Sequence, residues 1–251
     1  MIYQAHRGVS SDYPENTMHA FRAAAEEGYG LIECDPRFTR DGKIVLLHDK
    51  TLNRTARNRD GGTLTDELRI ADVTLEEARA FDYGVWKSPA FAGEPLPTLA
   101  ELLAFAADAR IRIKLDNVWE SFPEPIREVL FRVIRESRMA VGVTCRSPEA
   151  LRLVARQLPQ AELHYDGGDL STDRIQEIVK IADGRSLTVW VCYDNPKTAW
   201  FRGTKADETL CQRIAQDAAV GMWILSTQEE AETARRWGAG IIETNGELKP
   251  N

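Results

Sequence analysis

The chain has 251 residues, and 39 acidic against 32 basic side chains leave a formal net charge of −7. A nucleic-acid coat needs a basic face, so this balance argues against that class; a small anionic substrate stays open, because a site can be locally positive on a negative protein. With 43% hydrophobic residues the chain can bury one sizeable core.

The opening MIYQAHRG shows neither a basic n-region nor an apolar run ending in a small-residue cleavage site. The longest apolar runs (IVLL, LTVWVC, MWIL) are strand-sized, against the roughly 20 residues of a membrane span. Cys34, Cys145, Cys192 and Cys211 are scattered, without a CxxC pair. The expectation is a reduced, cytoplasmic protein with no stable membrane anchor.

In chain order, strands are expected at IYQAHR, GLIECD, RIKLD, VGVTC, ELHY, LTVWVC, GMWILS and GIIET. Between them lie segments with apolar residues at i, i+3, i+4 spacing: ENTMHAFRAAAEEG, PTLAELLAFAADA, PEPIREVLFRVIRES, SPEALRLVARQL, STDRIQEIVKIADG, ADETLCQRIAQDAA and STQEEAETARRWG. Several open on Ser, Thr or Asp and close on Gly, as capped helices do. Alternating β and α implies a parallel sheet, and eight strands fit a closed (β/α)8 TIM barrel, one domain over residues 1–251. No GxGxxG follows the first strand, so a dinucleotide fold lacks its usual signature. Residues 38–95 break the rhythm: a DG hairpin signal at Asp41-Gly42, then a polar, turn-rich stretch too long for an ordinary βα loop. Following the second strand, it reads as an insertion that caps the catalytic face.

Two histidines, His6 in AHRG and His48 in LLHD, end apolar strands, where barrel enzymes place their chemistry. Either one alone is more often structural than catalytic. His19 reads as a surface or packing residue, and His164 as a weaker candidate at a later strand end. Glu33 and Asp35 form an E-x-D pair whose side chains point the same way from one strand. Two such carboxylates repel unless a cation joins them, and a hard divalent ion, Mg²⁺ or Ca²⁺, resolves this through oxygen ligands.

HRG (His6, Arg7, Gly8), PENT (Pro14 to Thr17), ExD (Glu33, Asp35), DG (Asp41, Gly42), HD (His48, Asp49) and L-x-R-T (Leu52, Arg54, Thr55) occur in one order. Together they make the chain resemble the glycerophosphodiester phosphodiesterases. The resemblance continues more loosely through PTLAELL, a late strand with Trp223, and GAGIIETNG. It implies a TIM barrel with a small insertion after the second strand, and metal-dependent hydrolysis of glycerophosphodiesters to sn-glycerol 3-phosphate and an alcohol. The two histidines would form the acid–base pair, Arg7 would hold a phosphate oxygen, and Glu33 and Asp35 would bind the metal. The resemblance also admits attack by the substrate's own glycerol hydroxyl, giving a cyclic phosphate that water then opens.

One departure falls in the site. The family's third strand usually reads I-E-I-K, with Glu as a metal ligand and Lys facing the phosphate. In direct register Arg112 stands where that Glu would be. Arg112, Lys114 and Asp116 share a strand face, and we expect Asp116 to supply the missing carboxylate while Lys114 stays near the phosphate. Otherwise Glu33, Asp35 and waters would hold the metal alone, which suits Mg²⁺.

Trp223 and Trp190 are candidates for a pocket wall, Trp223 the stronger. Arg54, Arg57 and Arg59 form a basic cluster in the insertion, with Arg57 and Arg59 read as a solvated loop. Glu15 and Asn16 are candidates to contact the site, Asn16 alternatively capping the first helix. The expected partner is thus a small phosphodiester, not nucleic acid, with assembly into a homo-oligomer left open. Two other readings compete: a superfamily phosphodiesterase or lyase for another head group (lysophospholipid, sphingolipid or sugar phosphodiester), for which the altered third-strand motif and the non-standard YDNPKTAWFRG loop (Tyr193 to Gly203) leave room, and a non-catalytic binding or interaction barrel that has lost its metal.

Overall fold

β1 (Ile2–Ala5), α1 (Met18–Glu26) and β2 (Leu31–Cys34) open the chain, and a hairpin of β3 (Pro36–Phe38) and β4 (Ile44–Leu46) interrupts it. After the short α2 (Leu75–Ala78), the alternation resumes with α3 (Leu99–Ala109), β5 (Arg112–Leu115), α4 (Glu124–Ser137), β6 (Gly142–Cys145) and α5 (Pro148–Gln157). It ends with β7 (Glu162–Tyr165), α6 (Thr172–Ala182), β8 (Leu187–Cys192), α7 (Glu208–Ile214), β9 (Ala219–Trp223), α8 (Gln228–Arg236) and β10 (Ile241–Thr244). This is a computed structural model, and it describes residues 1–250. Eight parallel strands, in the order β1-β2-β5-β6-β7-β8-β9-β10, close into a barrel where β10 pairs with β1. The eight expected barrel strands and seven expected helices are all present; α2 lies inside the inserted segment.

Local chemistry sets the helix starts. The side chains of Thr17, Thr98, Ser147, Ser171, Asp207 and Thr227 each accept a hydrogen bond from the backbone N–H three residues on. At Thr98 and Thr227 a glutamate returns the bond to complete a capping box. Thr17, not Asn16, caps α1, which leaves the Asn16 side chain for another task.

The larger apolar cluster fills the layer between strands and helices, while Leu31, Trp190, Cys192, Trp223 and Ile241 cluster separately. Trp190 is fully buried in that second cluster and does not line the cavity described below. The inserted segment has its own cluster, with Val45, Leu47, Leu52, Ile70, Tyr83 and Leu96 at its centre. The antiparallel β3–β4 hairpin turns through Asp41-Gly42 as expected. Of residues 38–95, His48 lines the cavity described below. Ile44 and Leu46 of the hairpin join the main apolar cluster, while much of the remainder packs on the insertion's own cluster and leans on the β1–α1 connection, Lys87 Nζ donating to the Ser10 and Ser11 carbonyls. Among the described residues no helix is long and apolar enough to cross a membrane. All four cysteines are free and buried.

Candidate active site

Parallel register stacks the functional side chains. Glu33 on β2 lies level with Lys114 on β5, and Gln4 on β1 level with Glu243 on β10. Two residues further along, where strands run out, the chain places His6, Asp35, Asp116, Asp166 and Asn245. A cavity of about 580 Å³ opens here, lined by His6, Arg7, Glu33, Asp35, His48, Lys114, Asp116 and Trp223, the eight residues the sequence favoured for site roles; the weaker candidates Trp190, Glu15, Asn16 and His164 lie outside its lining. Asn117, Arg146, Asp166, Trp200, Phe201 and Glu243 share its wall and were not anticipated. A signal existed for Glu243 (an acid inside the apolar GIIET strand) and for Asp166 and Arg146, which directly follow strands. Trp200 and Phe201 lie in the non-standard YDNPKTAWFRG loop, which signalled a departure but not which of its side chains face the site.

Each catalytic candidate has one ring nitrogen engaged. His6 Nδ1 donates to Asn245 Oδ1 at 2.7 Å, which leaves Nε2 as the acceptor, 3.9 Å from Glu33. Burial lowers the proton affinity of His6, and the carboxylates around it only partly offset that effect. His48 Nδ1 is 2.6 Å from Asp49 Oδ1, and Arg54 Nε bonds the other Asp49 oxygen at 2.6 Å. Arg54 also grips Glu15 through two bonds of 2.8 Å, while Glu15 accepts from Arg7 at 3.1 Å. Arg54 and Glu15 therefore act behind the two signature motifs and link them. Arg57 and Arg59 bond backbone carbonyls of the insertion instead.

Arg7 reaches into the acid pair. Its backbone N–H donates to Glu33 at 2.9 Å, and its Nε lies 3.2 Å from Asp35. Asn16, freed from capping, donates to Asp35 at 2.7 Å. Burial alone would raise Asp35, yet Arg7, the two histidines and Asn16 hold it below the ordinary aspartate value. Glu33 and Asp116 go the other way: burial first, then repulsion from Asp35, pushes both up. Burial likewise pushes Asp166 up to about 7. Lys114, 3.4 Å from Glu243, keeps its charge because Glu243, Glu33, Asp116 and Asp166 outweigh its burial.

Arg112 sits one step lower in the barrel, opposite Leu31, and pairs with Glu162 at 2.5 Å. Its charge is spent there, and Lys114 is the residue level with Glu33. Asp116 follows β5, its backbone N–H bonded to the Cys34 carbonyl at 3.0 Å, which sets it beside Asp35. His164 is fully buried, accepts from Trp190 Nε1 at 2.9 Å and is a core residue. His19 pairs with Glu94 at 2.5 Å on the side of α1.

Five carboxylates (Glu33, Asp35, Asp116, Asp166, Glu243) face three fixed cations (Arg7, Lys114, Arg146) across the cavity. Glu33, Asp35 and Asp116 repel one another, and that donor chemistry fits a hard divalent cation. Among the described residues, no three acidic, histidine or cysteine side chains are already drawn into a ligand cluster.

Comparison with known proteins points one way. Residues 6–239 match the glycerophosphoryl diester phosphodiesterase family. The chain is 38% identical over 163 residues to a glycerophosphodiester phosphodiesterase of Caldanaerobacter subterraneus, a match covering 63% of each chain. It is 38% identical over 120 residues to human glycerophosphodiester phosphodiesterase 1, covering 45% of this chain and 32% of that one. The chain thus spans under two thirds of these relatives' length. In fold it is similar to an Oleispira antarctica phosphodiesterase solved with the product sn-glycerol-3-phosphate (TM-score 0.74, 20% identity, 98% of this chain and 93% of that one). It is also similar to a Thermotoga maritima glycerophosphodiester phosphodiesterase (TM-score 0.62, 20% identity, 98% and 95%).

Proposed function

Given that the chain belongs to the glycerophosphoryl diester phosphodiesterase family, we propose that it hydrolyses glycerophosphodiesters to sn-glycerol 3-phosphate and an alcohol. The observation that carries this reading is the pair of imidazoles on one cavity beside Arg7 and Lys114, each tied at Nδ1 and so offering Nε2. His6, kept neutral by burial, takes the proton from the attacking hydroxyl, either water or the glycerol's own. His48, backed by the Asp49 carboxylate, gives a proton to the departing alkoxide as the P–O bond breaks. Arg7 and Lys114 hold the phosphoryl oxygens, where negative charge builds as the bond breaks. If the glycerol hydroxyl attacks first, the cyclic phosphate is opened by water with the two histidines exchanging roles.

Glu33, Asp35 and Asp116 would hold a divalent ion, Mg²⁺ or Ca²⁺. When bound, it would withdraw charge from the phosphoryl group and relieve the repulsion among the three carboxylates. Four buried free thiols support a reducing, cytoplasmic setting.

Release of sn-glycerol 3-phosphate from glycerophosphocholine and glycerophosphoethanolamine, assayed with Mg²⁺ or Ca²⁺ and again with EDTA, tests the reading. Turnover that chelation abolishes and metal restores is expected. No product from either diester, nor from a glycerophospho-octyl ester, under any condition overturns it. The variants His6→Ala and His48→Ala should each lose about 10²–10⁴-fold in kcat.

A further inference from the structure

Phosphoryl chemistry leaves one wall of the cavity unused. Trp223, at the end of β9, forms an edge contact with Phe201 (centroids 5.0 Å apart) and a stacked one with Trp200 (6.1 Å, planes at 25°). Trp223 is nearly buried, whereas Trp200 is 69% exposed and, with Met1, the only large apolar side chain of the described residues left in solvent. The row therefore runs from the cavity wall outward, and all three rings line the same cavity as His6 and His48.

The loop carrying Trp200 and Phe201 is fixed. Asn195 donates to the Ile224 carbonyl at 2.8 Å and to Glu230 at 3.0 Å, and Lys205 donates to the Thr198 carbonyl at 2.7 Å. Gly203 lets Phe201 lie flat, since a Cβ there would come within 2.4 Å of its ring. An exposed tryptophan on a pinned loop beside a catalytic pair is an apolar binding feature rather than a fold requirement.

The rings do not form a cage for a cation. Trp200 and Trp223 turn their faces toward each other instead of around a space, and Lys205 already lies 5.6 Å over the Phe201 ring. We propose that Trp200, Phe201 and Trp223 bind an alkyl or acyl group on the leaving alcohol, so that the site favours phosphodiesters of apolar alcohols over those of small polar or quaternary ammonium ones. This deepens the phosphodiesterase reading and rests on it for turnover, though not for binding.

The test therefore measures binding first. Titration calorimetry with n-alkyl phosphates from ethyl to octyl should show affinity rising about two- to fourfold per methylene. Trp200→Ala should flatten that gain and Trp200→Phe should keep most of it, an outcome that a purely structural tryptophan would not give. Choline phosphate should bind no tighter than its carbon isostere, 3,3-dimethylbutyl phosphate. Affinity independent of chain length, a full gain retained in Trp200→Ala, or preference for choline phosphate would each overturn the proposal. Turnover of the glycerophospho-ethyl ester is measured in parallel: its absence, with the chain-length gain intact, would count against the phosphodiesterase reading alone.

Discussion

Asn245 Oδ1 accepts the Nδ1 proton of His6 at 2.7 Å across the seam where the barrel closes. The contact follows from register: Ala5 on β1 lies opposite Thr244 on β10, so the next residue of each strand meets at the rim. It fixes the tautomer that presents Nε2 as a base. Asn245→Asp would put a carboxylate at that distance and raise the proton affinity of His6, which burial now lowers. Since the base works unprotonated, the acid limb of the kcat/KM profile should move to higher pH. An unmoved limb in an active variant would remove His6 from the base role.

The fold was legible because parallel strands are buried on both faces and read as short apolar runs, and because each helix start carries its own cap. Six signature motifs within residues 6–55 and the i, i+2 spacing of Glu33/Asp35 and Lys114/Asp116 mark His6, Arg7, Glu33, Asp35, His48, Lys114 and Asp116 in the sequence itself. The supporting residues were less visible. Asn245 and Glu243 lie some 240 positions from the partners they meet across the closed seam, a contact no local pattern encodes. Asn16 offers itself as a helix cap because Asn is a good one, but Thr17 takes that position and Asn16 turns to Asp35. Trp200 and Phe201 sit on an irregular loop, where periodicity carries no information.

Metal should act on stability as well as on rate. Glu33 and Asp116 are pushed up by burial and by Asp35, so an empty site becomes costlier as pH rises and the carboxylates ionise. Mg²⁺ or Ca²⁺ at a hundredfold its Kd at pH 8 should raise stability by about 2.7 kcal/mol there, and the same concentration should give a smaller Tm increase at pH 5, where protons compete for the carboxylates and weaken the affinity. Asp116→Asn should lose most of that increase. A variant with the full metal-dependent Tm increase would show that Glu33 and Asp35 suffice without Asp116.

Asp166 gives a pH test that needs no ligand. Burial raises its pKa from 3.8 to about 7. A carboxylate raised in the folded state favours folding while protonated, and that advantage is lost as pH climbs from its unfolded value through about 7. Asp166→Asn stays neutral and can still accept the Trp223 Nε1 bond. The variant should therefore gain stability over wild type between pH 5 and pH 8, by up to roughly 4 kcal/mol. Parallel Tm curves for the two proteins would show that Asp166 is not perturbed.

Arg54 is a positioning residue: it touches neither the cavity nor a reacting atom, yet its fork joins Asp49 behind His48 to Glu15 behind Arg7. Arg54→Ala should cost about tenfold or more in kcat with little change in Tm, since the side chain is 43% exposed. Arg54→Lys should recover little of the rate, because an ammonium cannot span both carboxylates as the guanidinium does. Wild-type kcat in Arg54→Ala would mean that Asp49 alone orients His48.

Gly8 is where the local backbone and the site are most tightly joined. At φ +79° it turns the chain out of β1, and a Cβ there would lie 2.6 Å from the Ala20 Cβ and 2.7 Å from the Ala20 carbonyl carbon of α1. The preceding residue, Arg7, also has positive φ (59°), and this turn aims its N–H at Glu33 and its guanidinium at Asp35. Gly8→Ala adds left-handed strain of about 1–2 kcal/mol and overpacking of about 1–3 kcal/mol. The expected loss is roughly 2–5 kcal/mol, seen as a lower urea midpoint at unchanged m-value. The folded fraction should also show a raised KM, because α1 and Arg7 cannot both keep their places around the added methyl. A variant with a wild-type urea midpoint and KM would mean that the turn can relax without disturbing Arg7.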